Sequence, residues 1–189
     1  MELGLSVLAD LARPGRTLVP RFDKATDTRR ERDAWSVVDG PADVILFEGW
    51  CVGAAPQSPS DLAEPVNDLE RTRDPDRGWR SAVNAALAGP YQQLFAAIHR
   101  LVLLRAPGFE VVVRWRREQE HKLRARLAAA GHGAQATLGD DEIAVFTAHY
   151  ERLTRHILAE MPARADAVIP LDDDRVPGPI VWKPPLPLR

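Results

Sequence analysis

The sequence predicts an α/β domain built on a mainly parallel sheet. Two observations carry that expectation. Three unbroken apolar runs of strand length occur, DVILF (43–47), LVLL (101–104) and the end of ADAVIPL (165–171), and amphipathic helical periods lie between them. A run without polar interruption suits a strand buried on both faces, as in parallel sheets covered by helices. A chain of 189 residues is long enough for one such domain with a real core.

Taken in order, Leu3, Val7, Leu8 and Leu11 recur at helical spacing, and Pro14-Gly15 ends that helix. TLVPRFD (17–23) reads as a short strand entering a loop, and the charged stretch 24–42 as a solvated connection. DVILF follows as the clearest strand. Residues 54–80 show no period and many Pro, Asp, Ser and Asn, and a loop of that length in a domain is usually functional or disordered. A helix over 81–100 is broken at Gly89-Pro90. Despite its valines, 107–130 reads as helix, because Val112, Trp115, Gln119, Leu123 and Leu127 share a face and Pro107 suits a first turn. Asp140 or Asp141 caps the next helix, striped by Phe146, Tyr150, Leu153 and Ile157. The domain is expected over 1–171, and PGPIVWKPPLPLR ends the chain as part of a proline-rich tail over 172–189.

Composition narrows the function classes. A formal net charge of −2 supplies no drive toward nucleic acid or anionic lipid, and no apolar run approaches the roughly 20 residues of a membrane span. The N-terminus lacks a basic segment ahead of its apolar residues and does not read as a signal peptide. A single cysteine, Cys51, permits no intrachain disulfide. A soluble, cytoplasmic protein without nucleic-acid or membrane partners is the expectation. None of His99, His121, His132, His149 and His156 stands at a diagnostic spacing from Cys51, so neither a thiol nucleophile nor a zinc site is indicated.

Glu48 is the residue that points to chemistry. It ends the DVILF run, before Gly49 and Trp50, and in a parallel sheet ligands gather at the carboxyl ends of the strands. LVPRFDKATDTR, DVILFEGWCVG, PVNDLERTRDPDRGWRSAVNAAL, RWRREQEHKL and VFTAHYERL together resemble the D-glycerate 3-kinase group of P-loop kinases, relatives of uridine kinase, pantothenate kinase and phosphoribulokinase. The likeness runs from about Leu3 to about Leu171.

This resemblance implies phosphoryl transfer from ATP, with Mg²⁺, to a hydroxyl of a small hydroxy acid such as glycerate. It makes Glu48 the acid that holds or orients Mg²⁺, directly or through water. Asp23 would accept a hydrogen bond from the acceptor hydroxyl, Lys24 and Arg29 would hold its anionic group, and Gly49 would let backbone approach a ligand. Arg116 and Arg117 become lid residues that reach nucleotide phosphates. Asn67, Glu70, Arg80 and Asn84 match the family with no evident task beyond lining or bracing the long loop.

One part of the family pattern has no counterpart in the sequence. The phosphate loop GxxxxGK[ST] requires a lysine after a glycine, whereas Lys24, Lys122 and Lys183 follow Asp23, His121 and Trp182. The fold expectation is therefore a P-loop-kinase-type parallel sheet flanked by helices and incomplete at its N-terminus. Two readings stand: a truncated, inactive kinase, or a degenerate relative that acts as a non-catalytic interaction protein.

Overall fold

The computed structural model describes residues 2–23, 26, 28–129 and 137–183. Helix α1 (Glu2–Leu11) leads into β1 (Gly15–Val19), which pairs antiparallel with β4 (Ser36–Gly40) from Gly15 opposite Gly40 to Val19 opposite Ser36. Between them β2 (Phe22–Asp23) and β3 (Thr28–Arg29) form a two-rung hairpin. The stretch expected as a solvated connection thus contains two strands. The alternation of Ser36 to Gly40, half-buried and exposed in turn, is a half-buried strand's pattern that the surrounding charges mask.

The main sheet is built from β5 (Val102–Arg105), β6 (Ala167–Pro170) and β7 (Val181–Trp182). Strands β5 and β6 are parallel, and the crossover between them carries α5 (Phe109–Ala129) and α6 (Asp140–Glu160). The chain is therefore α/β with helices around parallel strands, as its apolar runs predict. Residues 181–182, within the segment expected as a tail, return antiparallel against β6. Gly139 rather than an aspartate caps α6, and the Glu142 carboxylate accepts the Gly139 N–H at 2.7 Å. Helix α3 (Gly78–Ala86) passes through a π-turn (Leu87–Tyr91, containing Pro90) into α4 (Gln92–Phe95), so the chain widens to a π-turn at the proline and stays helical where a break is expected.

The core lies where α6 meets the sheet. Leu103, Ile157, Met161, Ala165, Leu87 and Ala54 are buried together, with Cys51, Phe95, Leu101, Leu153 and Val168 packed on them. Residues 51–54 enter this core by a tight turn. Gly53 has φ +77°, and a Cβ there would stand 2.8 Å from Leu101 Cδ1, so only glycine fits.

DVILF is the main departure from expectation. Residues 43–47 join no ladder among the described residues, and Val44 and Leu46 are 83 % and 90 % exposed. An apolar run states a demand for burial and leaves the neighbour unspecified; β1 and β4 satisfy each other, and β5 has β6 on one side only. Replacing both Val44 and Leu46 by threonine is expected to change unfolding free energy by less than about 0.5 kcal/mol while raising the concentration at which the chain stays monomeric in light scattering. A loss above about 2 kcal/mol would show that the run is buried in solution.

Candidate functional site

Two buried arginines hold the long segment 57–74 against the helices. Arg152 projects from α6, and its Nε and Nη2 donate to the two carboxylate oxygens of Glu70, each at 2.7 Å. Its remaining bonds run to the carbonyls of Asp61 and Glu64 at 2.7 and 2.6 Å. Arg80, on α3, donates to Asp74 Oδ2 at 3.1 Å and to the carbonyls of Leu62, Ala63 and Asp74. Both pairs are almost wholly removed from solvent, so each guanidinium needs its carboxylate.

Side chains of this segment also cap helices. Asn67 Oδ1 accepts the Glu70 N–H at the start of α2 (Asp68–Arg73), while Glu70 Oε2 takes the Val66 N–H. Asn67 Nδ2 donates to the Ala148 carbonyl and to Glu151, tying that cap to α6. Asp74 accepts the Trp79 and Arg80 N–H groups and closes the N-terminus of α3. Asn84 exchanges two hydrogen bonds with the backbone of Gln57. Asn67, Glu70, Arg80 and Asn84 are the brace of the long loop, and Arg152 and Asp74 are the partners that sequence reasoning missed. Arg152 lies inside the VFTAHYERL segment that matches the family, but as one of 22 arginines it was given no task.

Burial pushes the Glu70 carboxyl upward, but the Arg152 guanidinium and the Val66 N–H outweigh it and hold the group below the usual glutamate range. Asp74 behaves alike: burial opposes ionisation, and the Trp79 and Arg80 N–H groups with the Arg80 charge prevail.

The FEGW turn docks on α6. Trp50 stacks on Tyr150 with ring centroids 4.5 Å apart and an interplanar angle of 11°, and its Nε1 donates to Thr154 Oγ1 at 3.0 Å. Tyr150 leans on Phe146 at 5.2 Å, and the Arg116 guanidinium lies 5.4 Å from the Phe146 ring. The glutamate-bearing turn and the arginine of α5 thus converge on one stripe of α6. Glu48 itself is exposed, two residues ahead of the stacked ring. A Cβ on Gly49 would stand 2.9 Å from Val52 Cγ2, so the turn is tight at that glycine.

The other expected site residues lie as follows. Asp23 is in β2 and pairs with Arg30 at 3.2 Å; Arg29 is exposed in β3, its guanidinium 5.8 Å from the Trp35 ring. Lys24 lies outside the described residues. Arg116 also pairs with Glu120; Arg117 is exposed, and its charge adds a little to the His121 hydrogen bond that chiefly holds the Asp140 carboxyl below its usual range. Burial raises the Cys51 thiol to about 11, which leaves almost no thiolate at neutral pH and makes it a packing residue.

A cavity of about 360 Å³ opens between α3 and α6, walled by Trp79, Val83, Phe146, Tyr150, Leu62 and Leu153 and floored by the braced loop. His149 stands at its rim, edge-on to Trp79 at 5.6 Å.

A single exposed carboxylate is an adequate protein contribution to a Mg²⁺ site that takes its other ligands from water and phosphate, so Glu48 suits that ion. No cluster of three or more metal-ligating side chains occurs among the described residues. The triphosphate is a different matter: no glycine-rich turn ends in a lysine anywhere in this sequence, and these residues do not form its cradle.

Over 188 residues the chain is 30 % identical to the chloroplastic D-glycerate 3-kinase of Arabidopsis thaliana, a match covering 94 % of this chain. The chain belongs to a D-glycerate 3-kinase-like family. It is also 31 % identical over 137 residues, 70 % of its length, to the uncharacterized kinase mug58 of Schizosaccharomyces pombe. It spans 37 % and 46 % of the lengths of these two relatives. A solved structure of D-glycerate 3-kinase from Cryptococcus neoformans var. grubii shares the fold with a TM-score of 0.76 at 22 % identity, covering 96 % of this chain and 66 % of that one. No protein-family model matches the chain. No helix among the described residues is long and apolar enough to cross a membrane.

Because Glu70 and Asp74 ionise more readily folded than unfolded, their contribution to stability is complete above about pH 4.5 and is lost as pH falls through their depressed folded values. Thermal unfolding between pH 7 and pH 3 should show the midpoint falling in that acid window. Glu70→Gln should remove part of the slope and cost about 3 kcal/mol at pH 7, since it strands Arg152. A variant as stable as the parent would show that the pair does not hold the loop.

Proposed function

We propose that this chain carries the acid-bearing and acceptor-facing part of an ATP-dependent small-molecule kinase of the glycerate kinase type, transferring a phosphoryl group to a hydroxyl of a hydroxy acid such as glycerate. The convergence of the FEGW turn and Arg116 on Phe146 and Tyr150 carries this reading. It ties the glutamate-bearing turn to the cationic helix through three rings in sequence, and transfer chemistry needs both charges positioned in advance.

Each residue has a defined task. Glu48 orients Mg²⁺ or its water shell. Asp23 accepts the acceptor's hydroxyl hydrogen bond, while Lys24 and Arg29 hold its carboxylate. Gly49 admits a ligand close to backbone, and Arg116 and Arg117 face the phosphates. Mg–ATP, when bound, supplies the phosphoryl group and neutralises its charge. The residues of this sequence orient and hold; none of them wraps a triphosphate.

That last point favours a second reading, a non-catalytic relative that works by interaction. The two readings part on D-glycerate. If the chain carries the acceptor site, D-glycerate should show saturation-transfer NMR contact with the 189-residue chain, weakened several-fold by Arg29→Ala and Asp23→Asn. Absence of contact would remove the kinase reading in favour of the interaction protein. The chain should form no glycerate-dependent ADP by itself, and detectable ADP would show a cradle built differently. In a form of the protein that carries a phosphate cradle, Glu48→Gln should lower kcat on the order of 10²-fold with the fold intact. Unchanged turnover would make the acid structural.

A further inference from the structure

We propose that the cavity between α3 and α6 is a second ligand site, separate from the hydroxy-acid site, and that it takes an uncharged aromatic ring bearing an O–H or N–H donor.

Charge comes first. The two cations beneath the cavity, Arg80 and Arg152, each make four hydrogen bonds to protein oxygens, and each faces its own buried carboxylate. The floor is therefore neutral. A carboxylate entering here would lose its water and gain no free cation, a cost that excludes a small hydroxy acid.

Shape comes second. The volume of about 360 Å³ exceeds twice the roughly 150 Å³ that holds a benzene ring, which leaves room for a ring with substituents. Trp79, Phe146 and Tyr150 present aromatic surface, and Val83, Leu62 and Leu153 complete an apolar wall. Trp79 is 43 % exposed and His149 is exposed, so the cleft opens to solvent at their edge.

Hydrogen-bonding capacity comes third. His149 Nδ1 lies 2.8 Å from the Val145 carbonyl, which fixes the proton there in the neutral ring and leaves Nε2 as an acceptor. Neither that nitrogen, nor the Tyr150 hydroxyl, nor the Gln57 carboxamide has a partner among the described residues. These groups stand ready at the edge of an apolar cleft, the arrangement that orients a mostly apolar ligand by one or two polar contacts.

The test uses the 189-residue chain with 4-fluorophenol as an uncharged probe and 4-fluorobenzoate as its charged counterpart, both followed by ¹⁹F NMR at pH 7.5. The phenol should bind at least about tenfold more tightly than the benzoate, and D-glycerate should not displace it. Val83→Trp, which fills the cavity from α3, should abolish phenol binding. Gln57→Trp, which closes it from the loop without touching the core, should weaken binding several-fold if Val83→Trp fails to fold by circular dichroism. Benzoate binding as tight as the phenol, displacement by D-glycerate, or binding untouched by a folded cavity-filling variant would each overturn the proposal.

Discussion

Arg152 reaches out of α6 and closes a bidentate bond on Glu70 in a place nearly free of water, and much else in the molecule follows from that contact. Burying two charges is costly, and the pair persists because the guanidinium also takes two loop carbonyls while Glu70 also takes the Val66 N–H. A segment without its own hydrophobic core is thereby given a fixed path. Arg80 repeats the arrangement on α3, so the loop is clamped from two helices that face one another across the cavity.

Fixing the loop fixes what stands on it. α6 presents one edge to the brace, through Arg152 and the Asn67 contacts, and a neighbouring edge to Trp50 through Tyr150 and Thr154. The turn that bears Glu48 and the helix that bears Arg116 meet on that second edge. Polar interactions set the position and rings transmit it. Such division of labour suits a site that must orient charged groups, since the stacked rings are rigid and fix the turn and the cationic helix before any ligand arrives.

The apolar runs at 101–104 and 167–170, the helical stripe of α6 and the irregularity at Pro90 were legible in the sequence, because burial period and backbone restriction are local properties. DVILF was legible as a demand for burial and misleading as a strand, because pairing depends on a neighbour that the run cannot encode. Of the site, Trp50 and Arg116 could be named from their motifs. Their meeting on Phe146 and Tyr150 could not, as it brings a turn about a hundred residues upstream and a helix about thirty upstream onto one stripe of α6. Glu70 and Arg80 were visible as unexplained polar residues. Arg152 was visible only as part of VFTAHYERL, since an arginine beside an apolar stripe reads as a solvated one until the loop is seen to cover it.

A double-mutant cycle on Glu70→Leu and Arg152→Met, read by urea unfolding at pH 7, tests the buried clamp most directly. Each single change should cost about 3–5 kcal/mol by leaving a charge alone in the interior, and the double variant should recover most of that loss. Additive losses, or single variants within about 0.5 kcal/mol of the parent, would show that the two side chains do not act on one another and that something else holds the loop to α6.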